Sequence, residues 1–209
     1  GTESFSVASM VDDGSRPLFR FVAPTSVPER TLPSLPSLLT NTLAKGEAWP
    51  ATNRDLNFRL TARDGKGGVS SDDMKIQVVN TGKAFALTSP LVTPLAAGQT
   101  QTIDWDVAGT NAAPINCSKV DLYMTRDEGV NWTLLAGGQP NSGSASVAIP
   151  AGSDGTARLK VACSDNLFFA ISPLKLSVTQ RVEGGGGGGG ALGFWTLALA
   201  LLGWQRRRA

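Results

Sequence analysis

The sequence predicts an all-β protein: two antiparallel β-sandwich-like modules followed by a C-terminal transmembrane helix. Three observations predict it. Short runs of apolar residues alternate with polar ones at a period of two, and no stretch of the body sustains a helical period. Glycine and proline, 24 and 12 residues, punctuate these runs at the spacing of turns. The last 26 residues break the pattern and read glycine tract, apolar segment, arginine stop.

Residues 1–82 form the first expected module, a β-rich unit with a Pro-rich insertion that is incomplete at its N-terminus. Arg16 to Phe21 starts an extended run. Pro17, Pro24, Pro28, Pro33, Pro36 and Pro50 then crowd a segment unsuited to a central strand, because each lacks the N–H a ladder needs. One or two helical turns are expected within Ser34 to Leu43, with Leu35, Leu38 and Leu39 on one face. From Asn57, alternation puts Phe58, Leu60 and Ala62 on one side and Arg59, Thr61 and Arg63 on the other. Asp64-Gly65-Lys66-Gly67-Gly68 has turn chemistry, and a partner strand follows near Met74, Ile76 and Val78. Thr81-Gly82 marks the boundary.

Residues 83–181 read as a more regular sandwich. Ile103 and Trp105, then Val120, Leu122 and Met124, alternate with polar residues. Asp127-Glu128-Gly129 turns the chain into Trp132 and Leu134. Val147 and Ile149, then Leu159, Val161 and Cys163, and finally Leu174, Leu176 and Val178 complete about seven short strands. That pattern fits an immunoglobulin or fibronectin type III sandwich with Trp105 at its centre. Cys117 is out of phase with Val120 and is placed just before its strand; Cys163 shares the inward parity of Val161. A Cys117–Cys163 disulfide is expected.

Residues 182–190 are a linker that contains Gly184, Gly185, Gly186, Gly187, Gly188, Gly189 and Gly190. Residues 191–209 are an apolar helix and a stop, with Trp195 and Trp204 suited to membrane interfaces and Arg206, Arg207 and Arg208 to the cytoplasmic side. Residues 191–204 rise about 21 Å as a helix, short of a hydrocarbon core of about 30 Å. The segment therefore suits transient residence. Glycine tract, apolar segment and arginines, in that order, resemble the GlyGly-CTERM sorting signal of Gram-negative surface and secreted proteins. The resemblance implies a rhomboid-type sorting protease that cuts near the glycines and export by type II secretion machinery. It also implies transient residence in the inner membrane, then release to the cell surface or medium.

Composition excludes several chemistries. Of 19 Lys and Arg, three close the chain, which leaves 16 against 17 Asp and Glu in the body. No basic block with interleaved aromatics occurs, so no nucleic-acid partner is expected. Histidine is absent, which removes Ser-His-Asp and Cys-His catalysis and any His-ligated zinc. No catalytic residue and no metal ligand set is assigned. No cofactor is expected beyond Ca²⁺ held by loop acids, for which Asp12, Asp13, Asp64, Asp72 and Asp73 are the candidates. Asp104 and Asp106 have the spacing of a glycosidase pair, although alternating acids on a wet sheet face are far commoner. Trp49, Tyr123 and Trp132 are candidates for sugar stacking, against an ordinary role in packing.

Ser15-Arg16-Pro17-Leu18-Phe19-Arg20, Arg54 to Asp64 and Thr102 to Thr110 resemble the C-terminal region of bacterial reprolysin-like zinc metallopeptidases. The resemblance spans most of residues 10–180 and implies a catalytic domain upstream, with none of its zinc ligands here. The expected function is a non-catalytic accessory region of an exported, envelope-processed metallopeptidase. The alternatives are a carbohydrate- or protein-binding surface adhesion module and, more weakly, a hydrolase with its own carboxylate site.

Overall fold

The structure is a computed structural model that describes residues 11–21, 23–26, 29–90, 94–152 and 154–180. It is mostly β. Among the described residues no helix is long and apolar enough to cross a membrane. The glycine tract, Trp195, Trp204 and Arg206 to Arg208 lie outside the described residues.

In the N-terminal unit, the expected helical turns are α1, Leu35–Thr40, with Pro36 in its first turn, where a missing N–H costs nothing. Asn41 ends it in the left-handed region. The alternating run is β1, Arg54–Arg63, and its partner is β2, Val69–Val78. They pair in register from Arg54↔Val78 to Arg63↔Val69. The glycine-rich turn is held by the Asp64 carboxylate, which accepts from the N–H groups of Lys66 at 2.7 Å and Gly68 at 2.9 Å.

This unit departs from the sandwich expectation. Among its described residues the only sheet is the β1–β2 ribbon. Arg16 to Phe21 forms no strand. Leu18 is buried, its carbonyl accepting from the N–H of the likewise buried Ala48, and Phe19 sets its ring against Phe58 at 6.3 Å. The expected half-burial of β1 holds only at its base. From Arg59 outward both faces are exposed. Among the described residues no strand forms between Pro17 and Pro50, where the prolines lack the N–H a ladder needs.

The second unit is a two-sheet, sandwich-like body. β3 (Ala86–Ser89), β5 (Thr100–Asp106) and β8 (Ser144–Ala148) form one sheet in the order β3-β5-β8. The other runs β4-β11-β9-β6-β7, from β4 (Leu95–Ala97), β11 (Leu176–Gln180), β9 (Asp154–Cys163), β6 (Lys119–Thr125) and β7 (Thr133–Pro140). β10 (Phe169–Ile171) pairs the far end of β9. All pairings are antiparallel except β4 with β11. The strands not foreseen, β3, β4 and β10, span only three or four residues each, too short for alternation to show. Leu174, expected to open the last strand, precedes it and is exposed.

The inward residues of both sheets make one core, with Ile103, Trp105, Val120, Leu122, Leu159, Val161 and Val178 all buried. The Trp105 indole N–H donates to Asn141 Oδ1 at 2.8 Å. The Asn141 amide in turn donates to Thr110 Oγ1 and to the Cys117 carbonyl, both at 3.0 Å. A buried indole thereby keeps a partner. Cys117 and Cys163 form the expected disulfide, with Cα atoms 6.1 Å apart, and Cys117 does precede β6.

Candidate functional site

The wet face of the larger sheet carries the most distinctive cluster. Alternation in β6 sends Val120, Leu122 and Met124 inward and leaves Tyr123 on the outer face, half-buried. The register sets Tyr123 directly opposite Lys160 of β9. Trp132 immediately precedes β7, and Phe169 opens β10 opposite Ala162, two pairs further along β9 from Lys160. The Lys160 ammonium lies 4.3 Å from the Trp132 ring centre, 4.7 Å from that of Tyr123 and 5.9 Å from that of Phe169. Each is within cation–π range. Among the described residues no hydrogen bond reaches this ammonium. Burial lowers its pKa from the ordinary value, and the Glu29 carboxylate opposes that shift. The Tyr123 hydroxyl is pushed up by burial first, then by the charge of Asp121, to which it makes a long 3.5 Å contact.

One side of this face is covered by the N-terminal unit. Arg158, two residues before Lys160 and on the same face, is only 5% exposed. Its guanidinium donates to the Ser172 and Leu39 carbonyls at 2.8 Å each and to that of Pro173 at 3.2 Å. Leu39 belongs to α1, so the bond pins that helix to the sheet. Leu35 of α1 packs near Gly129 and Trp132. A Cβ at Gly129 would meet Leu35 at 3.1 Å and Trp132 at 3.3 Å, in a backbone already at φ +83°. The β6–β7 turn beneath is fixed by Asp127, whose carboxyl is drawn down to about 2, chiefly by the Asn131 backbone N–H. Thr125 also donates to it at 2.7 Å.

Such a cluster can stack a flat apolar face on Trp132 and offer a charged donor beside it. It contains no nucleophile paired with a base. Of the three aromatics expected to stack sugars, Tyr123 and Trp132 are brought together. Trp49 lies in the N-terminal unit, and among the described residues no ring or cation contact joins it to them. Lys160 and Phe169 were missed. The outward parity of Lys160 in β9 was legible, but its meeting with Trp132 depends on strand order.

The candidate Ca²⁺ acids face protein donors. Asp12 is enclosed, its carboxylate accepting from the N–H groups of Ala51 at 2.8 Å, Thr52 at 2.9 Å and Gly14 at 2.9 Å. The Thr52 hydroxyl at 2.9 Å and Arg54 at 2.8 Å complete its shell. A cation would meet a guanidinium there, so Asp12 does not fit Ca²⁺. Asp13 is taken by Ser15 and Arg16. Asp72 and Asp73 are in β2 and not near a turn, and Asp73 grips Arg59 through two bonds of 2.6 and 2.7 Å. Asp104 accepts from Ser144 at 2.6 Å, and Asp106 pairs with Lys83. Among the described residues the single grouping of metal-donor types is Cys117, Cys163 and Asp165, and its sulfurs are joined to each other.

No known protein family and no curated protein matches the chain. Among solved structures, the BSP domain of a biofilm-associated protein is similar, with a TM-score of 0.28 and 11% identity. The match covers 61% of this chain and 19% of that one, so the chain corresponds to about a fifth of that protein's length.

Proposed function

We propose that the chain is a non-catalytic accessory region of an exported protein processed at the cell envelope, with a zinc metallopeptidase domain elsewhere in the same precursor. The observation that carries the export part is the buried Cys117–Cys163 bridge. Stable disulfides belong to oxidising compartments and are rare where glutathione keeps thiols reduced. The tail agrees, because residues 184–208 carry spacer, apolar segment and positive stop in sorting order. The non-catalytic part is supported by the absence of histidine and by both thiols being spent in the bridge. On this reading the sandwich is an immunoglobulin or fibronectin III-type module. The tail resides briefly in the inner membrane, a rhomboid-type protease cuts it, and type II secretion exports the product. The metallopeptidase part rests on the sequence resemblance alone. C-terminal sequencing of the mature surface protein is the test. An end within residues 184–190 is expected, and recovery of Trp204 with the arginines intact overturns the sorting reading.

A second reading is favoured by the Lys160 cluster. A half-buried lysine ringed by Trp132 and Tyr123 on an outer sheet face suits a carbohydrate or protein ligand at the cell surface. Glycan-array binding that is lost in Trp132→Ala and Lys160→Gln supports it. Binding unchanged in both variants refutes that face as the site.

A further inference from the structure

The β1–β2 ribbon projects ten residues of paired strand with little to cover it. A lone two-stranded ribbon is marginal in water, and stability ordinarily needs three or more strands or a packed face. Here the outer half has neither among the described residues. Leu60 is 64% exposed, Met74 50% and Val69 57%. Each outer edge is a row of backbone N–H and C=O groups with no strand beside it among the described residues, the usual template for pairing with another chain.

The two edges are not equivalent. Laid antiparallel on itself about Arg59, β1 is complementary at every position but the central one. Asp55 falls opposite Arg63 twice, Phe58 opposite Leu60 twice, Leu56 opposite Ala62 and Asn57 opposite Thr61. A two-fold axis normal to the sheet keeps Leu56, Phe58 and Leu60 of both copies on one side, as the side-chain period demands. Only Arg59 meets itself, and each Arg59 already carries its own Asp73 in a two-bond grip. β2 lacks this property. About Asp73 it sets Met74 against Asp72, and about Met74 it sets Ile76 against Asp72. The ten β1–β2 pairs run without a bulge, so nothing twists the β1 edge out of use.

We propose that the outer edge of β1 pairs with β1 of a second copy of this chain, antiparallel about Arg59, to make a continuous four-stranded sheet β2-β1-β1-β2. The contact is isologous and closes on itself, so it yields a dimer and not a fibre. It does not depend on the sorting or peptidase readings. Shared burial of the Phe58–Leu60 face supplies the third and fourth strands that the ribbon lacks.

The test uses the full 209-residue chain in mild detergent. Arg59→Cys places one thiol on the axis, and mild oxidation is expected to give a covalent dimer. Mass spectrometry should then find the two β1 peptides joined by a disulfide through their substituted positions. Ser71→Cys, on β2 and also exposed, is the control for chance encounter within a micelle. In uncrosslinked protein, Arg63→Asp and Asp55→Arg each put like charges opposite one another and are expected to weaken the dimer about tenfold. The double variant Asp55→Arg/Arg63→Asp restores it. A monomer at all concentrations, equal crosslinking at position 71, or charge reversal with no effect or no rescue overturns the proposal. Of these, a monomer would leave the edge to an extended peptide from another protein.

Discussion

Asp12 closes the base of the ribbon, and its removal is the sharpest test of how the N-terminal unit is held. Its side chain is fully enclosed and accepts from five donors, four of which, in residues 51–54, join that segment to residues 12–14. Asp12→Ala leaves the Ala51 and Thr52 N–H groups without an acceptor and the largely buried Arg54 without its counter-ion. Breaking a buried ion pair by removing one partner costs about 3–5 kcal/mol. Arg54 keeps 12% exposure, which points to about 3 kcal/mol. Amide hydrogen exchange at Ala51 and Thr52 reads this directly, and protection should fall roughly a hundredfold. Acidity gives an independent arm. Burial pushes the Asp12 carboxyl up, but the N–H bonds from Ala51 and Gly14, with Arg54 and Thr52, outweigh it and hold the group well below the usual carboxylate range. A depressed folded value means the stabilisation is complete above the unfolded value of about 3.9 and is lost as pH falls through the folded one. Protection at these two amides, corrected for intrinsic exchange, should therefore be flat from neutrality to about pH 5 and decline below about pH 4. In Asp12→Asn this decline should vanish. Wild-type protection at both amides in Asp12→Ala would refute the account.

Three further outcomes follow from the sandwich. Replacing both cysteines by alanine frees a loop closed across a sequence separation of 46 and should cost about 4 kcal/mol in urea unfolding; two alkylatable thiols in native protein kept from reductant would remove the premise. Asn141→Leu strands the Trp105 indole N–H and the Cys117 carbonyl in the core, and should destabilise by about 2 kcal/mol, read by tryptophan fluorescence in the same titration. Tyr123 is the single tyrosine of the chain, so phenolate absorbance reports it alone. Its titration should lie above the ordinary value, and Asp121→Asn should move it back part of the way, because burial remains.

The sandwich was largely legible because its longer strands are buried on one face only. Ile103 and Trp105, or Leu159 and Val161, announce themselves by alternation, and Cys163 inherits the parity of Val161. Three kinds of feature were not legible. Strands of three or four residues, such as Leu95–Ala97, are shorter than the pattern that would reveal them. In β1 alternation is present, yet Leu60 is exposed, because a pattern states which residues share a face and not whether anything covers it. The Lys160 cluster is non-local: Tyr123, Trp132 and Phe169 meet the lysine only because β6 and β10 flank β9. The partners of Asp12, one of the loop acids, are non-local in the same way. Asp12 has the look of a loop ligand, but apart from the Gly14 N–H its partners begin 39 residues later.

The N-terminal unit also shows how a segment with little core can be placed. Among its described residues only Leu18 and Ala48 are buried apolar side chains, and neither belongs to the sandwich core. Three buried side chains beside them are polar: Asp12, Ser37 and Glu47. Its prolines restrict the unfolded chain and so reduce the entropy lost on ordering. Position is then set at two points. Asp12 fixes the base of the ribbon, and Arg158 of β9 reaches out to the Leu39 carbonyl and fixes α1 on the sheet. Arg158 explains the asymmetry between the units. An arginine on an outer sheet face is ordinarily solvated, and this one is buried with two acceptors from its own unit, the Ser172 and Pro173 carbonyls, and a third, the Leu39 carbonyl, from the neighbouring unit. Breaking that bond should loosen α1 and bare the Trp132 side of the Lys160 cluster while leaving the sandwich intact. The unit with the smaller buried core thus covers the Lys160 cluster of the unit with the larger one, which is the order expected where surface elements open well below the free energy of global unfolding.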